Sequence, residues 1–238
     1  MNPEREAECR RALVVGGSGG IGRAISRRLA GLGVEVVATG AHQEKLDSLV
    51  GDHPGGRIEG IQAKGDRPEE ILSAIPESLT PDILVCAFGP VVYKPVGETT
   101  LDDWRYLTGM NLVLPGALIE RFLPGMRHRG FGRILVFGVM GSEGVQGYRE
   151  IGAYAATKTG LMVLVRSLAK ELSGTGVTVS ALLPGYVDTE YLLAEERQRF
   201  LRRNASHELK KPDEIAETAC YVITAEDTRH NGALLPIG

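Results

Sequence analysis

The feature that most constrains the fold of this chain is a glycine-rich turn between an apolar run and a helical pattern. Residues 12–15 are apolar and predict a buried strand, and five glycines follow within residues 16–22. Apolar residues then recur at helical spacing, at Ile21, Ala24, Ile25 and Leu29. A strand, a glycine turn and a helix in this order bring backbone N–H groups and the positive end of a helix to a phosphate. We therefore expect a phosphate-bearing ligand here, with a turn that binds no ligand as the alternative.

Length and composition exclude several classes of protein. The 238 residues fit one domain covering residues 1–238. A net charge of −3 gives no basic field for nucleic acid or an anionic membrane. We expect no signal peptide in residues 1–11 and no membrane-spanning run elsewhere. The three cysteines are widely spaced and predict reduced thiols in a cytoplasmic protein, with neither a disulfide framework nor a metal site.

Strand and helix patterns alternate along the rest of the chain. Further strands are predicted at residues 34–39, 57–63, 82–88, 133–139, 177–183 and 233–236. Further helices are predicted at residues 43–50, 68–75, 101–128, 153–172 and 212–224. This order predicts an α/β fold with a doubly wound parallel sheet of about seven strands and helices on both faces. Such sheets bind ligands beyond the carboxyl ends of their strands, so functional residues are expected there.

A tyrosine and a lysine stand near the start of the predicted helix 153–172. Tyr154 and Lys158 are four residues apart and would project from one face of that helix. A nearby ammonium group stabilises a phenolate and lowers the tyrosine pKa. Tyr154 is therefore a candidate general acid/base for a carbonyl and alcohol pair. For this spacing alone, a solvated surface pair is the alternative.

Several motifs together resemble those of the short-chain dehydrogenase/reductase family over nearly the whole chain. They are the glycine turn at residues 16–22, Asn111 within residues 110–112, the run Ala153-Tyr154-Ala155-Ala156-Thr157-Lys158, and the run Pro184-Gly185-Tyr186-Val187-Asp188-Thr189. The resemblance implies a Rossmann-like fold and an NAD(P)-dependent oxidoreductase. In that family the tyrosine is the acid/base, and the lysine binds the nicotinamide ribose and lowers the tyrosine pKa. The asparagine helps to hold a water for proton relay.

The resemblance also implies which residues contact the dinucleotide. They are Gly16, Ser18, Gly19, Gly20, Ile21, Gly22, Gly40, His42, Asp66, Ala87, Phe88, Gly89, Tyr154, Lys158, Pro184, Gly185, Val187 and Thr189. Lys64 is the alternative to Asp66 after the third strand. No carboxylate follows the second strand at residues 39–42, which favours NADP over NAD because nothing there would repel a 2′-phosphate. Ala41, however, stands where many NADP-binding relatives have arginine.

The chain departs from the family pattern at two places. Residues 86–89 read Cys-Ala-Phe-Gly, where the family usually has Asn-Asn-Ala-Gly. The serine that the family keeps beside the substrate carbonyl falls at Val139, and Ser142 is the nearby hydroxyl. Ser142 either takes the place of that serine as a catalytic residue or caps a turn between Gly141 and Gly144. Both alternatives are open at this point.

The substrate region is apolar in pattern. Residues 139–148 and 186–193 carry apolar side chains that predict a cleft for a small, largely apolar molecule. Residues 190–203 fit either a lid helix or a surface helix. The predicted helix 153–172 is apolar around most of its circumference, so we expect a homo-oligomer, either a dimer or a tetramer.

Two further classes compete with an active oxidoreductase. One is a dinucleotide-binding protein of the same fold with weak or lost catalysis, acting as a sensor or partner subunit, and the change at Val139 favours it. The other is a methyltransferase, which would share the glycine turn. A methyltransferase leaves Tyr154 and Lys158 unexplained.

Overall fold

The described residues build one seven-stranded parallel sheet. The computed structural model describes residues 10–53, 55, 57–203 and 208–238. The strands are β1 (Arg11–Val15), β2 (Glu35–Gly40), β3 (Ile58–Gln62), β4 (Ile83–Cys86), β5 (Gly132–Phe137), β6 (Val177–Pro184) and β7 (Leu234–Ile237). Their order is β3-β2-β1-β4-β5-β6-β7. From β1 the chain adds strands toward one edge of the sheet, and from β4 it adds them toward the other edge. This reversal of strand order between β1 and β4 confirms the predicted doubly wound fold.

Helices cover both faces of this sheet. They are α1 (Gly20–Gly31), α2 (Gln43–Gly51), α3 (Pro68–Ala74), α4 (Leu101–Thr108), α5 (Leu114–Arg129), α6 (Gly152–Glu171), α7 (Ala194–Arg203) and α8 (Pro212–Thr224). One core joins α1, α2 and α8 to the sheet, and the other joins α3, α5 and α6 to its opposite face. Successive residues of β1 alternate between the two cores, since Leu13 and Val15 enter one and Ala12 and Val14 the other.

The predicted helix at 101–128 is found, but it contains a π-helical turn that the sequence pattern does not predict. α4 and α5 are separated by a π-helical turn over Gly109–Val113. Pro115 lies four residues after Asn111, has no N–H to donate to the Asn111 carbonyl, and would crowd that carbonyl with its ring. A widened turn relieves the crowding, and such turns are common at functional sites. Here the turn places Asn111 in the interior with 0% exposure.

Three further sequence predictions concern a signal peptide, membrane-spanning helices and the cysteines. Residues 1–9, which include Cys9 and most of the segment where no signal peptide is predicted, lie outside the described residues. In the part of the chain that is described, no helix has the length and hydropathy needed to cross a bilayer. Cys86 and Cys220 are both buried free thiols.

Candidate active site

The glycine turn is compact because several of its positions have no room for a side chain or have positive φ angles. Gly16 and Gly20 have positive φ angles of 81° and 49°. A Cβ at Gly16 would lie 2.8 Å from the Cβ of Phe88, and one at Gly22 would collide with the Gly16 carbonyl oxygen. The turn therefore delivers the first N–H groups of α1 to the carboxyl edge of the sheet, where an anion is favoured.

The ends of β2 and β4 close around this turn. Thr39 Oγ1 accepts a hydrogen bond from the Gly16 N–H at 3.3 Å. Ser18 is buried and fills the space beside Gly40, where a Cβ would collide with its hydroxyl. Ala87 donates its N–H to the Val15 carbonyl at 2.9 Å. The structure thus brings the predicted positions after β1, β2 and β4 together.

Tyr154, Lys158 and Asn111 converge one strand further along the same edge. A Cβ at Gly89 would lie 2.5 Å from Lys158 Nζ and 2.7 Å from Asn111 Oδ1, so the ammonium and the amide oxygen border one small space. Asn111 Nδ2 donates to the Pro90 carbonyl at 3.0 Å, while Oδ1 has no hydrogen-bond partner among the described residues. Lys158 Nζ lies 5.7 Å from the centre of the Tyr154 ring. A buried amide oxygen of this kind fits a donor such as a water or a ligand hydroxyl.

Burial controls the charges of these groups. Burial lowers the pKa of Lys158 to about 8, against a small opposing effect of Cys86. Burial also raises the pKa of the Cys86 thiol to about 12, so this thiol is neutral at pH 7. The pKa of Tyr154 is raised, first by burial and then by the nearby phenols of Tyr93 and Tyr148. The lowering of the Tyr154 pKa that the sequence predicts is therefore not found in this structure, because lost hydration and the two neighbouring phenols disfavour the phenolate.

Ser142 lies in a turn that follows β5. Its Oγ accepts a hydrogen bond from the Val139 N–H at 3.2 Å, and its own N–H donates to the Val139 carbonyl at 2.9 Å. The side chain is 2% exposed and lies 2.7 Å from the Cβ position of Gly138. These contacts favour the turn-capping interpretation of Ser142 over the catalytic one.

The predicted contacts after β6 reach the glycine turn. Gly185 donates its N–H to the Ile237 carbonyl at 2.8 Å, which ties the end of β6, with Pro184, to β7. Val187 pairs with Lys210 in an isolated bridge. Thr189 then lies over the turn, with its methyl group 3.3 Å from the Cβ position of Gly20.

The predicted contacts after β2 and β3 are more exposed. His42 is exposed directly before α2. Asp66 and Lys64 are both exposed after β3, and the Asp66 N–H donates to Glu70 at 3.0 Å, at the start of α3. Arg23 is the first cationic residue after the glycine turn. Its guanidinium donates a hydrogen bond of 2.8 Å to the carboxylate of Asp52, the residue after the end of α2.

The helix α7 contacts three of the loops that border the site. Phe200 is buried and stacks on Tyr186 with 4.2 Å between ring centroids. Arg199 lies 5.4 Å above the ring of Tyr93 and 3.3 Å from a carboxylate oxygen of Glu150. α7 therefore joins the loops that follow β4 and β6 and the loop that precedes α6.

Sequence reasoning missed three side chains around the glycine turn: Lys45, Glu190 and Tyr191. Glu190 accepts from the Gly20 N–H, and Lys45 Nζ lies 3.2 Å from Glu190 Oε1. Lys45 and Glu190 are 145 positions apart, and neither belongs to a motif, so no local pattern could have paired them.

Comparison with known proteins decides the family. Residues 10–199 match the family model described as short chain dehydrogenase. The chain belongs to the short-chain dehydrogenase/reductase family. It is an oxidoreductase of that family, and the fold and the recognition of its motifs are confirmed.

The relatives of this short-chain dehydrogenase/reductase align over almost its full length. It is 31% identical to the 3-oxoacyl-[acyl-carrier-protein] reductase of Vibrio cholerae, covering 95% of this chain and 94% of the relative. It is 31% identical to the acetoacetyl-CoA reductase of Allochromatium vinosum, covering 95% of this chain and 96% of the relative. A variant of actinorhodin polyketide ketoreductase, solved with NADPH, superposes with a TM-score of 0.85 at 25% identity, covering 96% of this chain and 95% of the other.

Proposed function

We propose that this enzyme interconverts a carbonyl and an alcohol on a small, largely apolar substrate, with NADP as the preferred cofactor. The observation that carries the proposal is the convergence of Tyr154, Lys158 and Asn111 beside Gly89, next to the glycine turn. The relatives named as 3-oxoacyl, acetoacetyl-CoA and polyketide reductases support a ketone as the oxidised substrate.

The site fits a dinucleotide by its shape and its polar groups. Gly16 and Gly20 keep the turn free of side chains, and Gly89 does the same beside the lysine. Asn111 offers a buried oxygen that lacks a donor among the described residues. A bound nicotinamide supplies or removes the hydride at the carbonyl carbon. The glycine turn would hold the phosphates, and Lys158 the ribose next to the nicotinamide.

Each catalytic side chain has a role in moving one proton. Tyr154 donates its phenolic proton to the carbonyl oxygen, and its raised pKa keeps it protonated at neutral pH before the reaction. The Lys158 ammonium stabilises the phenolate that remains. The buried Asn111 Oδ1, which has no hydrogen-bond partner among the described residues, would hold the water through which the proton is replaced. Val139 adds no donor to the carbonyl oxygen.

The direct test is turnover with a panel of carbonyl compounds. Purified enzyme is mixed with NADPH and a 3-oxoacyl thioester or a small ketone, and the alcohol product is identified by mass spectrometry. We expect carbonyl-dependent oxidation of NADPH. Tight binding of NADPH with no turnover on any carbonyl would instead support the second candidate, a dinucleotide-binding sensor or partner subunit. The loss of the serine at Val139 and the inward orientation of Ser142 favour that candidate.

We expect the enzyme to bind NADPH at least about tenfold more tightly than NADH, a difference of about 1.4 kcal/mol. The reason is the absence of a carboxylate at residues 39–42, after β2, where the adenosine ribose binds in such folds. Fluorescence titration at one salt concentration measures both affinities. The control compares 2′,5′-ADP with 5′-AMP, because these two ligands also differ only by the 2′-phosphate and both lack the nicotinamide. A preference for NADH would contradict the assignment.

We also expect a homo-oligomer, as a dimer or a tetramer. Val163 on α6 is 63% exposed, and Val113 in the π-helical turn is 48% exposed. The two elements meet where Leu112 packs 3.6 Å from the Cβ position of Gly160, one helical turn before Val163. A second copy would cover this apolar surface. Light scattering at micromolar concentration should show an oligomer that Val163→Glu weakens and the exposed Lys170→Glu does not, whereas a wild-type monomer would contradict the prediction.

We further propose that residues 1–238 form one domain and that the enzyme is cytoplasmic. The described residues share one sheet and two cores that lie against its faces. Within the described residues, Cys86 and Cys220 are buried free thiols, as in proteins of a reducing compartment.

A further inference from the structure

The segment that follows β6 lies directly over the glycine turn. Both carboxylate oxygens of Glu190 accept from the N–H of Gly20, the first residue of α1, at 3.2 and 3.1 Å. Thr189 covers Gly20 from the same side, and a Cβ at Gly19 would collide with the Tyr191 hydroxyl. Residues 189–191 therefore occupy the space in front of the N–H groups to which a cofactor phosphate would bind.

A single cation fixes this arrangement from the side of α2. Lys45 Nζ lies 3.2 Å from Glu190 Oε1 and 4.3 Å from the centre of the Tyr191 ring. Burial lowers the pKa of Lys45, but Glu190 and Tyr191 raise it by more. Burial raises the pKa of Glu190, but hydrogen bonds, including those from Lys45 and Gly20, lower it by more. Both groups are charged at neutral pH. Glu190 thus has a helix N-terminus and an ammonium group as partners, the two features that would also bind a phosphate.

We propose that Glu190 is an internal anion that occupies the phosphate position at the start of α1, and that Lys45 transfers from Glu190 to a cofactor phosphate when the dinucleotide binds. The inference rests on the proposed function, since it takes the glycine turn as the phosphate site. A carboxylate and a pyrophosphate cannot share one set of N–H donors, and their charges repel at contact distance. Binding therefore displaces Glu190. It also moves the chain that leads into α7.

The exchange lowers the apparent affinity for the cofactor. When an internal group occupies a site, the measured affinity falls in proportion to the fraction of molecules in which the site is free. The side chains of Glu190 and Lys45 are 45% and 35% exposed, so solvent weakens their pairing. We expect the displacement to cost the cofactor about fivefold to tenfold in affinity, or about 1 to 1.4 kcal/mol.

The test measures binding of NADPH, NADH and ADP to wild type, Glu190→Gln and Glu190→Ala by calorimetry. Glu190→Gln keeps the shape of the side chain and removes its charge, whereas Glu190→Ala removes the whole occupant. We expect affinity to rise in the order wild type, Gln variant, Ala variant, by up to about tenfold. The gain should be the same for NADPH and NADH, because they share the pyrophosphate. Glu195→Gln, at an exposed position of α7, is the matched control and should bind as wild type does.

The part assigned to Lys45 is tested in the Glu190→Ala background. Adding Lys45→Met there should weaken binding, since in that background the Lys45 ammonium has lost its Glu190 partner and is available to the phosphate. Unchanged affinity in the double variant overturns this role of Lys45. Equal affinities of wild type and the Glu190 variants overturn the exchange but leave the proposed function intact. Failure of all variants to bind either dinucleotide overturns both.

Discussion

Tyr154→Phe is expected to lower kcat by about 10²- to 10⁴-fold, while the affinity for the cofactor changes little. The substitution keeps the aromatic ring on α6 and removes only the hydroxyl that can transfer a proton. Lys158, Asn111 and the glycine turn stay in place, so binding of the dinucleotide is retained. The loss should appear in kcat and kcat/KM together, because the proton is transferred only in the transition state.

The measurement is steady-state turnover on a substrate confirmed with wild type, together with NADPH titration of the same samples. Tyr221→Phe is the matched control, because Tyr221 lies on α8 with 63% exposure. This substitution removes the same hydroxyl group from a residue outside the site. It should leave kcat unchanged. If Tyr154→Phe retains wild-type activity, Tyr154 is not the acid, and the mechanism proposed for this family member fails.

The fold follows from local patterns, which is why the sequence predicts it well. The apolar runs and the glycine turn depend on neighbours in the chain, and a parallel sheet with helices on both faces is the way to bury them all. The strand from residues 12–15 and the helix after it are found as β1 and α1. Tyr154 and Lys158 share one helix, so their closeness is also local.

The electrostatics and the loop contacts depend on the folded structure. The pKa of Tyr154 is set by burial, which no spacing reveals, and so its direction was predicted wrongly for this structure. The contact between Ser142 and Val139 depends on how one turn folds after β5. The π-helical turn that holds Asn111 did have a sequence signal, since Pro115 stands four residues later.

Lys158→Met is expected to inactivate the enzyme and yet stabilise the protein in the absence of cofactor. Lys158 is 2% exposed, and burial lowers its pKa from 10.5 to about 8. At pH 7 its charge therefore costs up to about 3 kcal/mol of unfolding free energy, at 1.36 kcal/mol for each pKa unit. Methionine fills a similar volume without charge. We expect Tm to rise by about 5 °C or more, and kcat to fall by at least about 10²-fold because the phenolate of Tyr154 loses its cation.

The pH dependence of stability separates this explanation from a change in packing. Between pH 8 and 10.5, Lys158 is protonated in the unfolded chain and largely deprotonated in the folded one. The unfolding free energy of the wild type should therefore increase as the pH rises through that range. Denaturant unfolding at pH 7, 9 and 10 should show that increase in wild type and in Lys170→Met, which changes an exposed lysine on the same helix α6. It should be missing in Lys158→Met, so that the stability advantage of this variant shrinks as the pH increases. A constant advantage across the range would mean that Lys158 does not titrate there, and that methionine stabilises the site through packing alone.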